Sequence, residues 1–383
     1  MKYLLVLGDG MADEPLAGLN GMTPLEYADT PNMDRIAREG ASGMLRTIPE
    51  GFEPGSDIAN LSVLGYDPRL YYTGRGPLEA MSMGIPLRDD DVAYRCNIST
   101  VVGGQMADFS AGHISTRESR DLLEALAEKV PDVFLKEGIS YRNLLVISHG
   151  KGSETTPPHD IVGQDIGPYL PHGGDADILR RCIDESIKVF STHPVNRARI
   201  SAGKTPATQI WPWSGGKRPA LPLFQDKYGK TGGMISAVDL LNGIARCAGM
   251  EVIRVPGATG YLDTDYHAKA RYAIEALKHL DFLYLHVEAP DEAGHLGSIG
   301  EKVTAIERVD EMLGIIMEEF SGVIAILPDH PTPIRLKTHT RDPVPFAVRG
   351  LKKDNTERYS EREARSGVYG TIDAIDLLSL LFS

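Results

Sequence analysis

Cysteine is scarce in this chain. Only Cys96, Cys182 and Cys247 occur, an odd number, widely spaced, which leaves neither a disulfide framework nor a thiolate metal site. That usage fits a reducing cytoplasm. Positive charge is in deficit: 40 Lys and Arg stand against 53 Asp and Glu, a formal net charge of −13. A general nucleic-acid binder needs a basic face, so that class is excluded. A small phosphorylated ligand is not, because metals and a few local cations can hold it. Long apolar runs are missing as well. LLVL (4–7) and LLSLLF (377–382) fall far short of the ~20 residues that span a bilayer. The amino terminus turns polar at Gly8-Asp9-Gly10, too early for a secretory signal. There is no internal repeat, no low-complexity tract and no GxxxxGK[ST] phosphate loop.

What is present is a globular composition, 42% hydrophobic and 24% charged. A chain of 383 residues exceeds the typical domain of roughly 100–200, so about two domains are expected. Short unbroken apolar runs recur, each ending in polar residues: KYLLVL before Gly8-Asp9-Gly10, NLLVIS (143–148) before His149, FLYLHV (282–287) before EAPDEAGH, and GVIAIL (322–327) before Pro328-Asp329-His330. Such runs read as strands buried on both faces, as in a parallel sheet. Helices lie between them. Thr30-Pro31 opens one as an N-cap hydroxyl with proline in the first turn, and Gly40 stops it. Ile306, Val309, Leu313, Ile316 and Phe320 keep a 3-4-3-4 spacing along another. The pattern predicts an α/β fold. From about Asp89 to Thr205 the texture changes to DDD (89–91), a Pro/Gly/His-rich stretch (151–175) and a helix over 176–190. We read residues 89–205 as a domain inserted into a core formed by 1–88 and 206–383.

Ligands of parallel α/β sheets gather beyond the carboxyl ends of the strands. Asp9, Asp291, Asp329 and His330 fall there, with His295 four residues after Asp291 and His339 shortly after His330. On a helix, Asp291 and His295 share a face. Singly, each has a bland reading, since Asp before Gly is usually a turn residue. Recurrence at successive strand ends is what packing does not explain, because each buried polar group costs desolvation unless paired or bound. Ser56, in PGSDIANL (54–61), reads on its own as a helix N-cap. The same position also offers helix N–H groups to an anion and a hydroxyl to phosphoryl chemistry.

The ordered set GDGMAD (8–13), TPNMDRIAREG (30–40), PGSDIANLSVLGYD (54–67), TGRGPLEA (73–80), HVEAPDEAGH (286–295), PDHPTP (328–333) and THTRDPVPF (338–346) resembles the archaeal-type cofactor-independent phosphoglycerate mutases of the alkaline phosphatase superfamily. The resemblance covers nearly the whole chain, including YRNLLVIS, PPHDI and GATGYLDT. It implies an alkaline-phosphatase-like core with a mostly parallel sheet flanked by helices, a smaller inserted α/β domain that holds the glycerate, and a role in glycolysis and gluconeogenesis. It implies Ser56 as nucleophile, with Asp9, Ser56, Asp329 and His330 on one metal and Asp291, His295 and His339 on the other. Mixed oxygen and nitrogen ligation suits two divalent ions, Mn²⁺ or Zn²⁺ ahead of Co²⁺ or Mg²⁺. His159 and Asp160 match residues that touch glycerate and shuttle its hydroxyl proton. Arg75, between glycines suited to close approach of an anion, and Arg142, Arg197, Arg199, Lys217 and Lys230 are further candidates for carboxylate or phosphate. Trp211 and Trp213 are expected to pack at the domain junction.

One departure stands out. Asn60 occupies a position where these mutases often carry histidine, and it resembles relatives proposed as homoserine kinases. The metal set is indifferent to this, but the phosphate acceptor is not. Mutase, homoserine kinase, phosphatase and a non-enzymatic binding protein all remain open at this point, with the complete ligand set against the last.

Overall fold

The computed structural model describes residues 1–383, which form two compact units, Met1–Tyr72 with Ala220–Ser383, and Thr73–Pro219. The first unit begins with β1 (Tyr3–Gly8) and β2 (Ala41–Arg46). The second holds β3 (Val92–Val102), β4 (Gln105–Asp108), β5 (Phe134–Lys136), β6 (Arg142–Ile147) and β7 (Gln209–Lys217). The chain then returns with β8 (Gly232–Ile235), β9 (Glu251–Val252), β10 (Phe282–Val287), β11 (Val323–Leu327), β12 (Val344–Arg349) and β13 (Thr371–Asp373). No helix is long and apolar enough to cross a membrane.

The first unit is built on an eight-stranded sheet in the order β13-β2-β12-β11-β1-β10-β8-β9. Only β12 runs against its two neighbours; the remaining pairs are parallel. Every residue of β1, β10 and β11 is buried, as expected of central strands covered by helices on both faces. The helix Ile299–Glu319 buries Ile306, Val309, Leu313 and Ile316 against this core. The helix Pro31–Glu39 ends at Gly40 as read from sequence, but the Thr30 hydroxyl makes no capping bond. Asp310 of the long helix accepts from the Asn32 and Met33 N–H groups instead, at 3.0 and 2.7 Å, a capping partner remote in sequence.

The second unit is wholly antiparallel. β3 pairs with β4, β6 and β7, and β5 extends β6. NLLVIS therefore belongs to β6 of this sheet and not to the parallel one; its apolar run reflects burial under the helix Ala176–Thr192, whose Leu179, Cys182, Ile183 and Phe190 share its core. The unit extends beyond the compositional edges at 89 and 205. The helix Arg75–Ser82 lies so close to β3 that a Cβ on Gly76 would come within 2.3 Å of the Ala93 carbonyl. β7 pairs with β3 along most of its length, and the Thr73 hydroxyl donates to the Lys217 carbonyl at 2.6 Å. Composition is blind to such pairing. Trp211 and Trp213 are interior to this unit, donating to Thr156 O and Asn97 Oδ1 at 2.8 and 2.9 Å.

A buried polar network anchors the loop leaving β1. Lys302 donates to Asp13 Oδ2, Ala12 O and Thr332 O. The Asp13 N–H and the Thr23 hydroxyl meet the Glu361 carboxyl at 3.2 and 2.7 Å. Burial pushes the Glu361 pKa from 4.5 to about 7 despite these hydrogen bonds. A carboxyl whose folded pKa lies above its unfolded value binds its proton more tightly when folded, so stability falls as pH rises from about 4.5 through about 7. Glu361→Gln mimics the protonated form. Its melting temperature should match wild type near pH 5 and exceed it at pH 8, by the equivalent of roughly 1–3 kcal/mol. Parallel melting curves at both pH values would refute this assignment.

Candidate active site

Parallel register aligns Leu7 of β1 with Leu327 of β11 and His286 of β10. Asp9, Asp329 and Glu288 therefore leave the sheet at one level. The helix Ser56–Val63 adds Ser56 at its first residue. Gly55, not Ser56, is the N-cap, and no side chain caps this end. The Ser56 hydroxyl instead lies 3.2 Å from His330 Nε2, so the bland capping role does not hold.

Around that nitrogen, Asp329 Oδ2 is at 3.5 Å and Asp9 Oδ1 at 3.6 Å. Asp9, Asp329 and His330 are completely buried, and Asp9 Oδ1 has no hydrogen-bond partner. Beside them the helix Ala289–Leu296 brings His295 Nε2 to 3.2 Å from Asp291 Oδ2, the i,i+4 pairing expected of a helix. His339 Nε2 lies 3.5 Å from Asp291 Oδ1 and 2.9 Å from His295 Nε2. His295 Nδ1 donates to Lys337 O at 3.0 Å, which directs its Nε2 toward Asp291 and His339. The His330 and His339 ring centroids lie 4.1 Å apart with the planes tilted by 32°, so the two groups adjoin.

The electrostatics ask for positive charge. Burial, then the carboxylates of Asp329, Glu288 and Asp291, hold Asp9 well above the usual carboxylate range. Burial raises Glu288 to about 8 as well, helped by Asp291. Asp291 goes the other way: burial would raise it, but hydrogen bonds from His295 and His339 pull it well down. The bond to Asp291 in turn lifts His295 to about 9. Oxygen and imidazole donors converge in both groups, one with an orphaned buried carboxylate oxygen, and this donor set fits divalent cations. Asp9, Asp329 and His330 form one candidate metal group, and Asp291, His330 and His339 another.

Asp9, His286 and Glu288 form a third such group, but hydrogen bonding gives His286 another role. Burial lowers its pKa to about 3, so it is neutral. Val238 N–H donates to Ser236 Oγ, freeing that hydroxyl's hydrogen for His286 Nδ1 at 3.2 Å. His286 then carries its own hydrogen on Nε2 and donates it to Asp9 Oδ2 at 2.9 Å, orienting Asp9. Lys269, buried and lowered to about 8 by desolvation, donates to the His286 carbonyl. Tyr284, on the same face of β10, donates to Asn60 Oδ1. Asn60 Nδ2 holds Asp329 Oδ2 and the Ser56 carbonyl at 2.9 and 2.8 Å. Sequence reasoning missed His286, Tyr284, Glu288 and Lys269. A period-2 polar pair, Tyr284 and His286, inside an apolar central strand was the available signal.

Among the other candidates, His159 and Asp160 sit together in the second unit with side chains 46% and 59% exposed. Burial lowers the His159 pKa; Asp160 opposes this, and the charges of Arg95 and Arg75 add to it. Arg95, which sequence reading omitted, lies 3.0 Å from Glu79 and stacks on Trp213. Arg142 stacks on Tyr141. Arg197 and Lys217 are exposed, on the helix Pro194–Ser201 and at the end of β7. Two candidates are corrected. Arg199 is buried, bonded to Glu118, Thr205 O and Ala111 O, and holds its own unit together. Lys230 precedes β8 and rests on the Tyr3 and Phe382 rings; Tyr3 begins β1, so Lys230 lies at the end of the sheet opposite Asp9. The two glycines flanking Arg75 face backbone: a Cβ on Gly76 would come within 2.3 Å of the Ala93 carbonyl and one on Gly74 within 2.9 Å of the Gly215 carbonyl.

A family model described as 2,3-bisphosphoglycerate-independent phosphoglycerate mutase matches residues 37–196. A protein of that name from Methanothrix thermoacetophila is 50% identical, with 100% of each chain covered. A Pyrococcus horikoshii protein of known structure is 34% identical with a TM-score of 0.86, covering 99% of this chain and 96% of its own. The cofactor-independent phosphoglycerate mutase of Thermoplasma acidophilum is 27% identical with a TM-score of 0.71, covering 100% and 99%.

Proposed function

The chain belongs to the 2,3-bisphosphoglycerate-independent phosphoglycerate mutases, isomerases that interconvert 3-phosphoglycerate and 2-phosphoglycerate, and from that premise we propose that the phosphate travels through Ser56. The observation that carries this reading is the Ser56 hydroxyl, at the first residue of a helix and 3.2 Å from His330 Nε2. In the first half, Ser56 Oγ gives up its proton as it bonds to phosphorus, the bond from phosphorus to the 3-oxygen of glycerate breaks, and that oxygen takes up a proton. In the second half, the 2-hydroxyl gives up its proton as its oxygen bonds to phosphorus, the bond from phosphorus to Ser56 Oγ breaks, and Oγ takes up a proton, restoring Ser56. The N–H groups of the helix's first turn lack intrahelical partners and are suited to phosphate oxygens.

We assign two divalent ions, Mn²⁺ or Zn²⁺ foremost, to this site, one held by Asp9, Ser56, Asp329 and His330, the other by Asp291, His295 and His339. When bound, they supply charge that lowers the pKa of the Ser56 hydroxyl and neutralises the phosphate in flight. Asn60 keeps Asp329 and the Ser56 backbone in register through its two donated bonds, while His286 orients Asp9. The glycerate falls to the second unit: Arg75, Arg95 and Arg142 offer cationic partners for its carboxylate, and His159 with Asp160 exchanges its hydroxyl proton. The depressed pKa of His159 suits that exchange, because a neutral imidazole can accept a proton.

The test is phosphorus NMR on metal-loaded protein. Supplied with 3-phosphoglycerate and no 2,3-bisphosphoglycerate, it should form 2-phosphoglycerate. Release of inorganic phosphate alone would make it a phosphatase. Product only from ATP with homoserine would make it a kinase.

A further inference from the structure

Thr332, two residues beyond His330, is completely buried. Its hydroxyl donates to Asp291 Oδ1, and its oxygen lies 3.3 Å from His330 Nδ1. An ionised carboxylate only accepts, so the threonine hydrogen is committed to Asp291 and the oxygen must accept from His330. His330 therefore carries its hydrogen on Nδ1 and a lone pair on Nε2, the atom that faces Ser56, Asp329 and Asp9. One hydroxyl thus touches a member of each donor group.

Its position leaves little slack. The Thr332 N–H meets Ala12 O at 3.3 Å, and its carbonyl accepts from the buried Lys302 ammonium at 2.8 Å. The space in front of the hydroxyl is kept open by Gly10, whose φ is +61°. A Cβ there would lie 2.6 Å from Thr332 Oγ and 2.7 Å from Asp291 Oδ1. The glycine after Asp9 is thereby explained by Thr332 as well as by the turn.

We propose that Thr332 is a positioning residue that couples the two metal groups, fixing the tautomer of His330 in one and the direction of Asp291 in the other. This rests on the two-metal reading above. Removing the hydroxyl weakens both ions together, whereas removing a ligand of one group weakens one.

The experiment is calorimetric titration of metal-stripped protein with Mn²⁺. Wild type should take up two ions per chain. In Thr332→Val both affinities should fall by about 10–100-fold. Thr332→Ser should restore both, and His295→Ala should weaken one. Wild type binding fewer than two ions overturns the two-metal reading and the coupling with it. Two ions in wild type with Thr332→Val weakened at one site or neither overturns the coupling alone, as does a Ser variant that fails to restore. Nitrogen-15 NMR of histidine-labelled, metal-free wild type bypasses any folding defect. His330 should show the Nδ1–H tautomer, and the Nε2–H tautomer would overturn the proposal.

Discussion

Ser56→Ala should abolish phosphoryl transfer, by about 10³-fold or more, in a protein that folds as well as wild type. The effect on rate is large because a covalent route places the phosphate on this oxygen in every turnover, and the other hydroxyl beside His330, that of Thr332, meets Nδ1 and is committed to Asp291. The effect on stability is small because the hydroxyl caps nothing; Gly55 holds the N-cap position. Its contact with His330 at 3.2 Å is worth about 1 kcal/mol at most. Turnover followed by phosphorus NMR, with circular dichroism as a check on folding, separates the two. Labelled substrate should mark a peptide containing Ser56 in wild type and none in the variant. An alanine variant turning over near the wild-type rate would mean direct transfer between hydroxyls.

Exhaustive chelation should bring turnover to background, and Mn²⁺ or Zn²⁺ should return it. Asp9, Asp291, Asp329 and Glu288 crowd one buried region, and Asp9 is left with an unpartnered oxygen. Without a cation the carboxylates repel one another, and burial with that repulsion holds Asp9 and Glu288 above the usual carboxylate range. The loaded form should also melt higher, by the equivalent of about 2.7 kcal/mol at free metal a hundredfold above the dissociation constant. Asp329→Ala and His295→Ala should each cost a different ion, visible by elemental analysis of the purified variants. Full activity in protein shown to contain no metal would sink the reading.

Legibility in the sequence varied with the range of the interaction. The strands β1, β10 and β11 could be read because burial on both faces needs unbroken apolar runs. Asp291 and His295 could be paired because a helix repeats every 3.6 residues, and the helix Ala289–Leu296 brings them within 3.2 Å. Illegible were the features whose partners are distant. Asp310 caps a helix some 280 residues away, and that distance carries no periodic signature. β6 looks like a parallel strand because burial on both faces produces the same apolar run in an antiparallel sheet. Arg199 and Lys230 resemble ligand-binding cations in any linear reading; only the folded chain commits one to Glu118 and the other to aromatic rings at the wrong end of the sheet.

By itself the sequence determined the α/β class and set Asp9, Asp329 and Glu288 just beyond apolar runs, since these follow from local patterning. Tertiary structure decided what those residues do to one another. Register between three parallel strands brought Asp9, Asp329 and Glu288 level. A hydroxyl at Ser236 set the tautomer of His286, and one at Thr332 that of His330. Which ring nitrogen keeps a lone pair depends on the donors and acceptors around it in space, so no pattern along the chain could have supplied it.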